Sequence, residues 1–263
     1  MATREEIYAN KIFLNAVLPL VKTIIESKEN LANKFKNKNA IVGISAKDPK
    51  GKVGTHYIIE DGNFTVIKGC HEKCDIELEF SSIKSLNDFF AGKSKKLPKI
   101  KGWYKLSLLI PTLKTLIYMG KILSVTSIPD NEEDKDLIVK LYFSLLSTGI
   151  SQLNKAGHKE ISHWASKSPD RVFQWAVTNK PELSSYIRIK AGKSKASRGE
   201  YKRSKPFFTM RFDSSDSALG ILLDIDDMIE STVTKKLIME GAPEFGAQLG
   251  EYMLIVGSYA KGD

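Results

Sequence analysis

Cys70, His71, Glu72 and Cys74 bring two thiols, an imidazole and a carboxylate into five residues, side chains that bind zinc or trade electrons. A zinc site needs a further ligand pair, and these two cysteines are the only ones in 263 residues. C-x3-C by itself is not a zinc spacing. The segment therefore reads as the flank of a connection between strands. His158 and His163 stand five apart, which separates them around a helix, and they do not form H-E-x-x-H. Asp224 and Asp227 enclose Ile225 and Asp226 and share a helix face at i, i+3. Carboxylates in a D-x-D-D pattern can do acid chemistry, but the large helical scaffold around such a motif is missing, which leaves a solvated acidic face. No serine elbow, P-loop or G-x-G-x-x-G is present. The sequence names no catalytic residue, no metal ligand set and no cofactor.

The stronger chemistry is apolar. In Lys101–Leu123 the residues Leu106, Leu109, Ile110, Leu113 and Ile117 can share one helical face, with Lys105, Lys114 and Lys121 elsewhere. Such a face packs into a core, walls a lipid tunnel, or rests on a membrane interface with lysines against anionic headgroups. Each methylene withdrawn from water is worth about 0.8 kcal/mol, so about ten would supply roughly 8 kcal/mol before the entropy of binding is subtracted. Just upstream, Lys93, Lys95, Lys96, Lys99, Lys101 and Lys105 interleave with Trp103 and Tyr104. This run suits a solvated loop, a lipid headgroup or the phosphates of CoA. It contains no arginine, whose bidentate fork base recognition favours, so nucleic acid ranks last among its partners.

These residues sit in a chain of ordinary globular composition, 42% hydrophobic and 27% charged. The net charge of +9 is uneven: residues 1–131 hold 21 Lys/Arg against 13 Asp/Glu, and the rest 19 against 18. Attraction to an anionic partner therefore belongs to the first half. The N-terminal MATREEIYANKIF is acidic where a signal peptide would be basic, and the apolar stretch Leu106–Leu123 is interrupted by Pro111, Lys114 and Lys121. The expectation is a cytoplasmic protein.

The elements that position these residues occur twice. Helical periodicity over Ile7–Ile25, with a bend expected at Pro19, precedes strand patterns at Ala40–Ala46, Thr55–Glu60, Phe64–Gly69 and Cys74–Ser81. Asp61-Gly62 marks a hairpin. A short helix through Gly92, a KIKG turn at Lys99–Gly102 and the apolar helix follow. After the acidic, proline-containing segment Ile128–Asp136, which reads as a linker, the order returns. A helix from Leu137 leads to strands at Val172–Thr178, Ser185–Ala191, about 198–202 and Phe207–Ser214, then a helix, IMEG at Ile238–Gly241 and another apolar helix. Ile76, Leu78 and Phe80 meet Phe208, Met210 and Phe212 at a constant offset of 132. A repeat this long is a duplicated domain rather than a solenoid.

The hairpin Asp61-Gly62, the strand CDIELEF, the helix ending FFAGK (Phe89–Lys93), the strand at Lys99–Gly102 and the helix after it together resemble the sterol carrier protein type 2 family over residues 40–123. The second half matches more loosely: its glycine offset drifts from 132 to 139, and Glu240 stands where a basic residue is expected. The resemblance implies an α+β fold of two sterol-carrier-like units. Each would have a mainly antiparallel sheet of about five strands with helices on one side, the units spanning 1–127 and 137–263 around a linker at 128–136. It implies non-enzymatic binding or transfer of a fatty acid, acyl-CoA or sterol-like ligand in an apolar tunnel, mainly in the first half. The expected lining is Phe80, Phe89, Phe90, Leu106, Leu109, Ile110, Leu113 and Ile117. Phe212, Leu222, Phe245, Leu249 and Met253 are its second-half counterparts. Lys95, Lys96, Lys99, Lys101 and Lys105 are expected at an anionic headgroup or a transient membrane surface. The alternatives are an accessory scaffold with closed pockets that docks an enzyme partner and, behind it, an enzyme acting on acyl-CoA-like substrates.

Overall fold

The computed structural model describes residues 2–262; Met1 and Asp263, the outer ends of the two expected domains, lie outside them. The chain divides into two units, Met1–Lys121 with Ser258–Asp263, and Ile122–Gly257.

The first unit opens with α1 (Arg4–Ile12), a π-helical turn (Phe13–Val17), α2 (Leu20–Ser27) and α3 (Glu29–Ala32). Thr3 and Glu6 form a reciprocal capping box at the start of α1. The bend expected at Pro19 takes the form of the wide turn before it, where the Leu18 amide donates to the Phe13 carbonyl at 2.9 Å. Proline has no N–H to continue the four-residue ladder, and the π-turn absorbs the mismatch.

The sheet follows as β1 (Ala40–Asp48), β2 (Gly51–Glu60), β3 (Asn63–Lys68), β4 (Ile76–Phe80) and β5 (Lys99–Lys101), with α4 (Ile83–Phe90) between β4 and β5 and α5 (Leu106–Leu123) after it. The strand order is β3-β2-β1-β4-β5. All neighbours are antiparallel except β1 and β4, which run parallel with Val42 opposite Ile76. Alternate residues Val42, Ile44, Tyr57, Ile59, Ile76, Leu78 and Phe80 are buried at 2% exposure or less and face the N-terminal helices. Two buried hydroxyls complete that contact: Thr55 Oγ1 donates to Leu14 O at 2.6 Å and Tyr57 Oη to Leu18 O at 2.9 Å. Burial without a countercharge pushes the Tyr57 phenol far above its ordinary value, so it remains a neutral donor.

Because β4 lies beyond β1 and β2, the segment from Gly69 to Asp75 must cross the outer face of the sheet. Gly43 and Gly54 make room for it. A Cβ on Gly43 would lie 2.8 Å from Cys74 Sγ, and one on Gly54 would lie 2.6 Å from Ile44 O and 2.8 Å from Cys70 Sγ. The two thiols thus fill the space left by two missing side chains. Desolvation raises both thiol pKa values, although Cys70 is exposed and only Cys74 is half-buried, so neither is an activated thiolate. This is the strand connection expected for C-x3-C.

The second unit repeats the plan. It contains α6 (Glu132–Ala156), α7 (Lys159–Lys167), β6 (Arg171–Val177), β7 (Lys180–Lys190), β8 (Lys193–Arg198), β9 (Phe208–Phe212), α8 (Ser215–Leu222), α9 (Met228–Val233), β10 (Leu237–Glu240) and α10 (Pro243–Lys261) up to Gly257. Its sheet order is β10-β9-β6-β7-β8, with β6 and β9 parallel. That is the first order read from the other end, as a duplicated unit requires. Phe143, Phe173, Trp175, Phe208 and Phe212 fill its core.

The acidic segment read as a linker is helical from Glu132 onward. Asn131 caps the helix by accepting from the Glu133 amide at 2.9 Å, and Glu132, Glu133 and Asp134 occupy its first turn. Carboxylates there complement the positive end of the helix dipole, which is why a stretch lacking an apolar face still folds as helix.

Candidate functional site

The helix α5 is the most exposed apolar element among those expected to touch ligand. Its Pro111 cannot donate to Ser107 O, four residues back, and the Lys38 ammonium satisfies that carbonyl instead. Thr112 and Thr115 turn inward and bond the carbonyls of Leu108 and Pro111 at 2.8 and 2.9 Å, which closes their hydroxyls off from any ligand. Leu108, Leu109, Met119 and Ile122 form the buried side.

The opposite side is apolar as well. Leu106 is 55% exposed, Ile110 48% and Ile117 71%, with Leu113 half-buried between them. Trp103, Tyr104 and Leu97, in the approach to the helix, are also exposed. Of the residues expected on one face, Leu106, Ile110, Leu113 and Ile117 stay together. Leu109 turns to the buried side, because it sits about 70° away from their mean direction. By length and composition α5 is the one helix among the described residues able to cross a membrane, yet a third of it is buried.

Phe80, Phe89 and Phe90 form one aromatic cluster, with ring centroids 5.3 to 5.9 Å apart. Phe13 extends it through Phe90 at 6.1 Å. Phe80 is fully buried, whereas Phe89 and Phe90 are half-buried at the end of α4. In the second unit Phe212, Leu249 and Met253 belong to the core, and Leu222 and Phe245 are half-buried. The Trp175 indole N–H donates to Met253 Sδ at 3.3 Å, which fixes that methionine in the core.

The five lysines expected at a headgroup separate into two groups. Lys101 bridges Glu77 and Glu79 at 2.8 and 2.7 Å, and Lys105 pairs with Asp75 at 2.5 Å. These two neutralise strand carboxylates. The Lys105 ammonium in turn heads the causes that lower the Asp75 carboxyl. Lys95, Lys96 and Lys99 are exposed and have no ion-pair partner among the described residues. Lys101 has company on the outer face, where Lys52 binds Glu77 at 2.8 Å and also pairs with Glu79. Lys101 and Lys52 together hold the Glu79 carboxyl down at about 2.

Two surface cavities lie away from α5. One of about 410 Å³ in the first unit is bounded by α2, α3 and the hairpin residues Gly62–Phe64. The other, about 530 Å³, lies in the second unit between α7, α10 and the start of β6. Of the expected lining residues, only Phe245 borders either. Sequence reasoning missed the rest of this second cavity. Its wall combines faces of α7 and α10, helices about 80 residues apart, and spacing along either one does not reveal the other. Among the described residues no group of His, Cys, Asp and Glu is placed to hold a metal ion.

No family model and no curated protein matches the sequence. Solved structures that resemble the chain include a conserved hypothetical protein from Thermus thermophilus, described as a candidate sterol carrier protein. It is 16% identical and covers 44% of this chain and 85% of its own, with a TM-score of 0.30. Sterol carrier protein 2 is 13% identical over 44% of this chain and 97% of its own, with a TM-score of 0.29. A stereoselective inverting sec-alkylsulfatase from Pseudomonas sp. is 10% identical over 57% of this chain and 28% of its own, with a TM-score of 0.26. The likeness is one of outline, and no residue takes a role from it.

Proposed function

We propose that the first unit binds or transfers an apolar lipid (a fatty acid, acyl-CoA or sterol-like molecule) without a chemical step. The supporting observation is the exposed row Leu106, Ile110 and Ile117 on α5, backed by Leu113. Covering a leucine or isoleucine side chain is worth about 1.5–3 kcal/mol, so leaving three of them in water favours an apolar ligand or surface that covers them. Lys95, Lys96 and Lys99 supply positive charge for an anionic headgroup or for transient contact with a membrane surface. A cytoplasmic carrier is the setting that suits this chemistry.

The test is native mass spectrometry of the purified chain, joined to displacement of a fluorescent fatty acid. Ile110→Asp/Ile117→Asp should abolish the part of the displacement that belongs to the first unit while leaving the circular dichroism unchanged, since both side chains are exposed. A wild-type chain that carries no lipid and displaces no probe overturns the proposal.

A second reading is an accessory scaffold that docks an enzyme partner. It is favoured in the second unit, where Phe212, Leu249 and Met253 are 0%, 1% and 9% exposed and leave no open lining at the expected place. A reproducible protein partner retained by a chain with no bound lipid would favour it.

A further inference from the structure

The 530 Å³ cavity of the second unit has the makings of a site that the lipid reading does not use. Its floor is aromatic: Trp164 and Tyr252 are 9% and 5% exposed, with ring centroids 5.1 Å apart, and Phe245 borders them. At one end stands Arg171. Its guanidinium lies 3.8 Å over the Phe207 ring and 5.2 Å from that of Phe245. Both rings contact the guanidinium without using its N–H donors.

Arg171 has no ion-pair partner among the described residues, although an aspartate is its chain neighbour. Asp170 is committed to Arg188, which grips it with two hydrogen bonds of 2.7 and 2.6 Å. Arg211 is similarly committed to Glu240. Lys167, in the last turn of α7, borders the same cavity and also lacks a partner among the described residues. An unpaired guanidinium in contact with two rings, with an ammonium bordering the same cavity, can receive a planar anion.

Two carboxylates limit which anion. Glu160 and Glu251 also border the cavity. After burial, they are the next causes that push the Tyr252 phenol up to about 12. Against Arg171 and Lys167 they leave the lining with no net formal charge, which suits a monoanion with an apolar body better than a dianion.

We propose that this cavity binds an acyl or aryl monocarboxylate, with its carboxylate on Arg171 and Lys167 and its apolar part across Trp164, Phe245 and Tyr252. The volume falls within the usual range of about 300–1,000 Å³ for small-molecule sites.

Calorimetric titration of the full-length chain tests this. The Ile110→Asp/Ile117→Asp background removes the proposed lipid face of the first unit, so failure of one proposal does not conceal the other. Decanoate should bind with one equivalent, decanol roughly tenfold more weakly, and inorganic phosphate should not compete. Arg171→Gln should weaken decanoate roughly tenfold or more, the range for losing a hydrogen-bonded charge partner. Arg171→Lys keeps the charge, loses the fork and should fall between. It serves as the deciding variant where Arg171→Gln lowers the melting temperature. Absence of decanoate binding, equal affinity for decanol, competition by phosphate at equal concentration, or an unchanged affinity in a folded Arg171 variant overturns the proposal.

Discussion

At the same place in the two sheets, an ion pair is built with opposite polarity. In the first unit β4 carries the carboxylate and β5 the ammonium, Glu79 with Lys101 at 2.7 Å. In the second, β9 carries the guanidinium and β10 the carboxylate, Arg211 with Glu240 at 2.5 Å. Arg211 stands 132 positions after Glu79, and Glu240 lies opposite Thr209 as Lys101 lies opposite Glu77. Glu240 is therefore no stray departure from a basic position: its partner changed with it. Both units place opposite charges on these adjacent strands, with the carriers exchanged. The crossing connection tells the same story. Gly43 admits Cys74 in the first unit; at its counterpart, Gln174 accepts a 2.8 Å hydrogen bond from the Tyr201 amide. One unit fills the crossing with thiols, and the other ties it with an amide.

If the two solutions are real alternatives, transplanting half of one should fail. The largest effect is expected from Gly43→Gln, which sets the side chain of the second unit into the first. Its Cβ would meet Cys74 Sγ at 2.8 Å, so the variant should lose about 3 kcal/mol. Cys74→Ala should return part of that loss, and hydrogen exchange of the β1 and β4 amides reads both. An unchanged exchange rate would show that the connection yields easily.

Arg211→Glu comes next, placing like charges on β9 and β10, with an expected loss of about 2 kcal/mol. Adding Glu240→Lys recreates the polarity of the first unit and should recover most of it. If the double variant is no better than the single one, polarity matters beyond the pair, and the comparison fails.

The smallest effect is with acid. Glu79 is held at about 2, below its ordinary 4.5, so its contribution is fully present above pH 4.5 and drains away as pH falls toward 2. Allowing for screening by water, that is about 1 kcal/mol. Glu79→Gln should flatten the stability of the first unit over this interval; an unchanged slope would assign acid sensitivity to other carboxylates.

Local signals made much of this molecule legible. The apolar run Leu106–Leu123 is α5 to the residue, and Asp61-Gly62 adopts the two positive φ values, 48° and 79°, of a tight hairpin. The 132-residue offset aligns β4 with β9. What escaped reading depends on partners distant in sequence. Nothing near Val42 announces a parallel neighbour at Ile76. Lys101 looks like a free cation until β5 lies beside the carboxylates of β4, and Lys105 until it meets Asp75 just ahead of that strand. Leu109 and Ile110 are adjacent and equally apolar, yet one is buried and the other is not, a choice made by packing rather than composition. Arg171 is not legible as a site residue because the two rings it contacts are 36 and 74 positions away.

The parallel pair also orders events in time. The meander β1-β2-β3 is joined by tight turns, so its ladders can close over short loops. Val42 and Ile76 stand 34 positions apart, and Phe173 and Phe208 stand 35 apart. Loop-closure entropy must be met before such a contact returns anything, so β4 and β9 have nothing to dock on until their hairpins exist. Until then β1 and β6, the central strands of the finished sheets, are edges with bare hydrogen-bonding groups. A nascent chain therefore passes twice through a stage in which the strand destined for the centre of the sheet is an adhesive edge.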